Sequence, residues 1–451
     1  MPMLKRLPGW VDALWLGCLA LYIVAGAAIV PFHGDESTLM VMGRDYHYIF
    51  VEGDLAQVLY DEAWEVNPHE QHLRILNGTV SKMVYGWLQW LNGFGPRDLN
   101  RNWNWGRDFD FNVARGAIPD GELLGQARLA SAMQLALAAV LFFQFVKMTL
   151  NRPTAFLASA LFALHPNMLI NGRRAMMEGS HILGLMLVLL AAAWLLQERR
   201  WRTYALLGIS AGFAISAKHP NVIACALVFL ACARDPIWRS LQSRGRSWQR
   251  STTDLAGLAL ASAVAVSVFL LLNPAWWHEP LAVAEEVVAE RQQLLQNQVK
   301  AFGGYNSFAE QVSGFFQFVF VGERQYFEVS HWNDYAVITA EREAYERSGL
   351  AGLLFIGNSG RLGVICLLLS IFGALKLARD WDISREARWL VFIWISGSAL
   401  ATLWLTPLPW ARYYLPLLPA VILLMSYALI SFARLLIKDP YARSDGVALL
   451  D

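Results

Sequence analysis

The stretch WVDALWLGCLALYIVAGAAIV, residues 10–30, runs directly into PFHGDES, residues 31–37. The first part is long and apolar enough to cross a bilayer, which takes about 20 mostly apolar residues. It is too long for a signal-peptide core and further apolar runs follow, so it reads as an uncleaved spanning helix. The second part places an acidic pair, Asp35-Glu36, at the exit of that span. Further apolar runs lie near 129–147, 154–171, 180–197, 203–217, 220–233, 255–273, 362–378, 389–406 and 413–433. The expectation is an all-α polytopic membrane protein with about ten transmembrane helices. Lys218-His219-Pro220 joins the two shortest runs.

Composition supports this. Of the 451 residues, 56% are hydrophobic and 16% charged, and mean hydropathy is +0.36. Soluble domains carry roughly 25% charged residues, which argues against a cytosolic enzyme and rules out a disordered chain. Thirty-seven Lys and Arg against 36 Asp and Glu give a net charge of +1, with no electrostatic footprint for nucleic acid. Cys18, Cys225, Cys232 and Cys366 lie in apolar runs without a CxxC pair and read as packing residues. GxGxxG and GxxxxGK phosphate cradles are absent. Gly208 and Gly212 form a GxxxG that reads as close helix packing.

Lys and Arg in the short loops set the orientation. A cytoplasmic N-terminus puts Lys5/Arg6, Lys147/Arg152, Arg199/Arg200/Arg202, Arg239/Arg244/Arg246, Lys376/Arg379/Arg385/Arg388 and Arg434/Lys438 on one side. The expected organisation is a single transmembrane domain over 1–451. Two long extracytoplasmic loops, 32–124 and 274–361, and a short cytoplasmic tail, 434–451, complete it. Both termini are then cytoplasmic, and the expected location is a bacterial plasma membrane. The first loop is rich in tryptophan (Trp64, Trp87, Trp90, Trp103, Trp105), which suits a membrane interface. Leu39–Phe50 has apolar residues near helical spacing and reads as an interfacial helix capped by Ser37 or Thr38. A second amphipathic stretch covers about 281–299 and an aromatic one about 308–321.

Ionisable residues recur at the same outer level: Arg128, Arg173, Arg174, Glu178, Lys218 and Arg412. Each alone suits a snorkelling anchor, and Asp35-Glu36 alone suits a helix cap. Together they place cations and carboxylates around one outward-facing cavity. That mixture fits a phosphate-bearing substrate and a hydroxyl to be deprotonated. Arg or Lys on a lipid phosphate makes it a good leaving group, and a carboxylate within reach of the attacking hydroxyl serves as base.

Taken in order, these motifs resemble the GT-C superfamily of integral-membrane glycosyltransferases. The likeness is to the branch of protein O-mannosyltransferases and the lipid A aminoarabinose transferase (glycosyltransferase family 39 and relatives). It rests on Asp35-Glu36 after the first span, Arg128 opening the second, and Asn171-Gly172-Arg173-Arg174-Ala175-Met176-Met177-Glu178 before the fourth. Gly208, Gly212 and Lys218 follow, then Asn273-Pro274-Ala275-Trp276-Trp277, and last Arg412-Tyr413-Tyr414-Leu415-Pro416-Leu417-Leu418-Pro419. The resemblance implies a GT-C fold, a polyprenyl- or dolichyl-phosphate sugar donor, and inverting transfer to a hydroxyl acceptor on the extracytoplasmic face. It implies Asp35 as catalytic base, with Glu36 beside it orienting acceptor or sugar together with Glu178. Arg128, Lys218 and Arg412 would hold the lipid phosphate, with Arg173 or Arg174 as a further cation. Tyr413 and His33 join the substrate-binding set, His33 also suiting a cap.

No cofactor is required by this chemistry; a divalent metal, were one used, would fall to His33, Asp35 and Glu36. The sequence departs from the family in its Trp-rich first loop. Only 434–451 follows the last span, where the aminoarabinose transferase carries a soluble domain. The acceptor (protein, lipid or glycan) therefore stays open. Asn77-Gly78-Thr79 is an outward sequon read as incidental. Rival readings are a transporter or flippase of a lipid-linked sugar, a non-catalytic assembly subunit, and a polymerase of lipid-linked glycans. The first would place its polar residues near the bilayer midplane, whereas here they gather at helix ends.

Overall fold

A computed structural model of the chain describes residues 8–61, 68–242 and 246–437. Lys5, Arg6, Trp64, Arg244, Lys438 and most of the 434–451 tail lie outside these residues. Among the described residues the structure is helical, without strands. Helices of eight residues or more are α1 (Trp10–Ala25), α2 (Gly34–Met42), α3 (Pro68–Leu76), α4 (Thr79–Leu91), α5 (Gly121–Thr149), α6 (Arg152–Ala163), α7 (Pro166–Arg173) and α8 (Glu178–Gln197). They continue as α9 (Trp201–Ala217), α10 (Asn221–Gln242), α11 (Arg246–Leu272), α12 (Pro280–Phe302), α13 (Phe308–Phe316), α14 (Ala336–Arg347), α15 (Gly360–Arg379), α16 (Arg385–Leu405) and α17 (Leu418–Ile437). Eight stretches are long and apolar enough to cross a membrane, and nine if the bent pair α6–α7 counts as one. The protein is an integral membrane protein.

The differences from the expected spans have local causes. The run 154–171 is two helices bent by 60°. Pro166 occupies the first turn of α7 and cannot continue α6, because its ring and missing N–H break the ladder. The second span begins at Gly121, capped by Asp120, whose carboxylate accepts from the backbone N–H of Glu122 and Leu123. Arg128 therefore sits two turns inside this helix rather than at its mouth. The short runs at 203–217 and 220–233 are separate helices, and α9, at 17 residues, is below spanning length by itself.

Gly208 and Gly212 bring α9 against α11. A Cβ on Gly212 would lie 2.6 Å from the Ala265 carbonyl oxygen and 2.7 Å from Val268 Cβ. Gly212→Leu is expected to wedge this seam apart and lower stability by about 1–3 kcal/mol, the usual range for overpacking. A fall in the midpoint of thermal unfolding in detergent would report it. All four cysteines are free.

Both long loops sit on the same end of the bundle and pack into one layer. The backbone N–H of Phe32 donates to Glu341 of α14 at 2.9 Å. Trp103 meets Trp332 with ring centroids 5.3 Å apart. The helix expected over Leu39–Phe50 instead starts at Gly34 and is interrupted at Gly43. His33, not Ser37 or Thr38, caps it, and Ser37 hydrogen-bonds the Ala117 carbonyl instead. Glu36 through Met42 are mostly enclosed by protein, so α2 is an internal helix rather than one lying on a leaflet. The sequon threonine, Thr79, is buried and bonded to Asn273, which agrees with an incidental match.

Candidate active site

His33 fixes the first turn of α2. Its backbone is extended, its Nδ1 accepts from the Asp35 N–H at 3.1 Å, and its own N–H donates to Glu36 at 2.9 Å. This reciprocal capping box locks the rotation of the helix. Successive helical side chains diverge by about 100°, so the two acids of the pair meet different surroundings.

Glu36 turns inward and is fully buried. Arg128 grips it with a two-pronged fork, Nε to Oε1 and Nη2 to Oε2, both at 2.8 Å. The Ala175 N–H donates to Oε1 at 2.8 Å. Burial opposes its charge, but Arg128, Arg174 and this backbone donor outweigh it and hold the carboxyl below its usual range. With both oxygens engaged, Glu36 joins α2, α5 and the 174–175 segment and does not face the cavity. In this structure Glu36, expected in the catalytic pair, and Arg128, expected at the phosphate, are paired with each other.

Asp35 is 24% exposed and faces a cavity of about 250 Å³. Arg412 Nη1 pairs with its Oδ2, and Trp105 Nε1 donates to Oδ1 at 3.1 Å. Arg412 Nε also lies 3.1 Å from Glu328 Oε1, and Glu328 Oε2 is 2.8 Å from His33 Nε2. Because His33 Nδ1 accepts from backbone, this network assigns the proton to Nε2, which donates to Glu328. The result is a closed ring of His33, Asp35, Arg412 and Glu328. Burial would raise the Asp35 pKa, yet Arg412 holds it below the usual carboxylate range. Glu328 is lowered in the same way, by Arg412 and His33 against its burial. Phe327 stacks on His33 at 5.4 Å, and Trp105 packs on Trp332 at 5.1 Å, so both loops build one aromatic wall beside Asp35.

Helix α12 forms the opposite side of the cavity through Leu294, Asn297, Gln298 and Phe302. Tyr413 hydrogen-bonds Gln298 at 3.5 Å at this rim. Lys218 Nζ donates to Glu178 Oε1 at 2.7 Å, while Glu178 Oε2 has no partner among the described residues. Arg291 of α12 bonds the Leu76 carbonyl and has no carboxylate partner among the described residues. His219, beside Lys218, has both ring nitrogens buried without a partner among the described residues; burial lowers its pKa to about 3, so it is neutral.

Arg173 and Arg174 take another role. Arg173 donates to the carbonyls of Ile23 and Tyr22 and to the Tyr345 hydroxyl at 2.6–2.7 Å. Arg174 donates to the carbonyls of Pro31 and Tyr326 at 3.0 and 2.9 Å. Both are enclosed and tie α1 and the second loop to α7. In this structure these residues, expected as a further cation for the phosphate, donate to carbonyls and a hydroxyl. The trio His33, Asp35 and Glu36 does not converge as a metal set either, since His33 spends both nitrogens and Glu36 both oxygens. Glu328 and Arg291 carry no local pattern that would mark them, and Trp105, expected at a membrane interface, instead lines the Asp35 cavity.

Residues 78–281, somewhat under half of the chain, match the model of the dolichyl-phosphate-mannose-protein mannosyltransferase family. The apo oligosaccharyltransferase of Archaeoglobus fulgidus is similar in structure at 14% identity and TM-score 0.50, over 95% of this chain and 51% of that one. The same archaeal protein with an inhibitory peptide and a dolichol-phosphate gives 12% identity and TM-score 0.49, over 98% and 53%. The S. cerevisiae protein O-mannosyltransferase complex bound to the sugar donor gives 14% and 0.41, over 60% and 34%. The chain thus spans about a third to a half of the length of these structures. No curated protein matches the sequence significantly. The fold is the one shared with the archaeal oligosaccharyltransferase, the GT-C fold that the sequence led one to expect.

Proposed function

We propose that the protein transfers a sugar from a polyprenyl- or dolichyl-phosphate carrier to a hydroxyl acceptor, with inversion and with Asp35 as base. The observation that carries this reading is the contrast within the acid pair. Glu36 is sealed in a structural fork, while Asp35 presents an ionised carboxylate to an aromatic-walled cavity at one end of the bundle. Asp35 accepts the proton of the acceptor hydroxyl as its oxygen attacks the anomeric carbon. The bond from that carbon to the phosphate oxygen breaks on the opposite face, and the lipid phosphate leaves. Asp35 is a weak base because Arg412 stabilises its charge. It suffices if most proton transfer accompanies a late attack on an electron-poor anomeric carbon. Arg412 also carries positive charge toward the leaving group, with Lys218 and Arg291 as further cations on the same side. The loop-bearing end would be extracytoplasmic, with both termini in the cytoplasm. No metal enters this step.

Lys218→Ala and Arg291→Ala are each expected to weaken binding of a synthetic polyprenyl-phosphate sugar by about tenfold or more, the scale of one charge-assisted phosphate contact. Microscale thermophoresis or intrinsic tryptophan quenching would measure it. Unchanged affinity in both variants would remove them from the phosphate site. Transfer of labelled sugar by the purified protein tests the reading as a whole.

A further inference from the structure

Away from the Asp35 cavity, α3 and α12 face each other across a small packed core of Tyr60, Ile75, Ala275 and Val283. At this junction His72 of α3 meets Glu286 and Glu290, which are one turn apart on α12. His72 Nδ1 lies 2.9 Å from Glu290 Oε2. One ligand atom from each of the three residues falls within 4.8 Å of the others. Glu286 has no hydrogen bond or ion pair among the described residues, and Glu290 has only His72. Glu286 also borders a cavity of about 410 Å³ that Glu279 and His278 line. Glu279 likewise has no cationic partner among the described residues. Two carboxylates, Glu286 and Glu290, thus flank one imidazole, and among the described residues no Lys or Arg pairs with either. The neighbouring Arg291 points instead to the Leu76 carbonyl.

We propose that His72, Glu286 and Glu290 form a binding site for a divalent transition-metal ion of the zinc type. An imidazole with two carboxylates suits zinc and its neighbours better than magnesium or calcium, which prefer all-oxygen sets. Around a tetrahedral zinc, ligand atoms at about 2.0–2.2 Å from the ion lie roughly 3.4 Å apart. The ligand atoms, all within 4.8 Å of one another, are spaced on this scale. Three protein ligands leave a fourth position, which opens on the cavity beside Glu286. The ion would replace the proton shared by His72 and Glu290 and neutralise the unpaired carboxylates. It would also clamp α12 to α3. Because the last turns of α12 wall the Asp35 cavity, the clamp would order that wall from its far end. The site is independent of the reading of Asp35 as base.

The test is zinc titration of the full-length protein in detergent, stripped with EDTA and desalted, against a chromophoric chelator. Wild type is expected to bind one tight equivalent. Glu286→Gln, at a side chain with no hydrogen bond or ion pair among the described residues, and His72→Ala are each expected to weaken it about tenfold or more. Amide exchange over 280–302 is expected to slow on adding zinc to wild type and not to either variant. Absence of a tight equivalent in wild type would overturn the proposal and leave a plain His72–Glu290 hydrogen bond. So would affinity unchanged in both variants, which would place the ion elsewhere.

Discussion

Asp35→Asn is expected to cut sugar transfer by about 100- to 10,000-fold, the contribution of a positioned general base. Donor affinity should stay close to wild type, and thermal stability should drop modestly, because the pair with Arg412 is lost while Arg412 keeps Glu328. Asparagine keeps an oxygen to accept from Trp105 Nε1 and keeps the shape of the residue. It loses only the charge that takes the proton and pairs with Arg412. Steady-state turnover with a labelled polyprenyl-phosphate sugar measures the effect. The pH dependence follows from the same geometry. Asp35 is ionised when active, and Arg412 holds its pKa below the usual carboxylate range. Activity should therefore show no acid limb from Asp35 across roughly pH 5 to 8, and should fall only as pH drops through that depressed value. Equal turnover by Asp35→Asn and wild type would remove Asp35 as the base.

Arg128→Ala should act on stability. Glu36 would be left as a buried charge without its fork, which costs about 3–5 kcal/mol when one partner of a buried pair is removed. The chain should then accumulate poorly and unfold well below wild type in a detergent melt. Arg128→Lys should rescue only part of this, because an ammonium cannot reproduce the two-pronged contact with both carboxylate oxygens. Replacing both partners, Glu36→Gln with Arg128→Met, should recover much of the loss by removing the charge altogether. The sign with pH is fixed by the depressed Glu36 pKa. Its contribution is present above the unfolded carboxylate range and is lost as pH falls through the folded value. A melt of Arg128→Ala indistinguishable from wild type would mean the fork does not hold α2 to α5.

These two residues show what could be read from the sequence. Apolar runs located the spans, because burial in lipid demands continuous hydrophobicity whatever the tertiary contacts. They did not locate helix ends. Gly121–Arg128 extends the second span into polar sequence because Asp120 caps it and Glu36 pairs Arg128. The bend at Pro166 was chemically visible, yet a hydropathy window averages across it. Asp35-Glu36 stood out as two acids at a span exit. Which acid faces the cavity depends on the capping box of His33 and on a partner 92 residues away, so no local pattern separates them. Arg173 and Arg174 read as phosphate ligands by type. Only the carbonyls of α1 and the second loop, brought up by tertiary packing, reveal them as structural. Glu328 was invisible for the same reason: its meaning comes from Arg412 and His33, which the fold delivers from opposite ends of the chain.

Under the proposed function, the Asp35 cavity should break the bond between a sugar and a lipid phosphate. The most direct test uses the purified protein in lipid nanodiscs with a synthetic polyprenyl-phosphate sugar, water serving as the simplest hydroxyl acceptor. Lipid release and the configuration of the freed sugar are followed by NMR. Slow release of polyprenyl phosphate and a product of inverted anomeric configuration are expected, with both lost in Asp35→Asn. A donor bound but left intact, or released equally by wild type and Asp35→Asn, would contradict the proposed function.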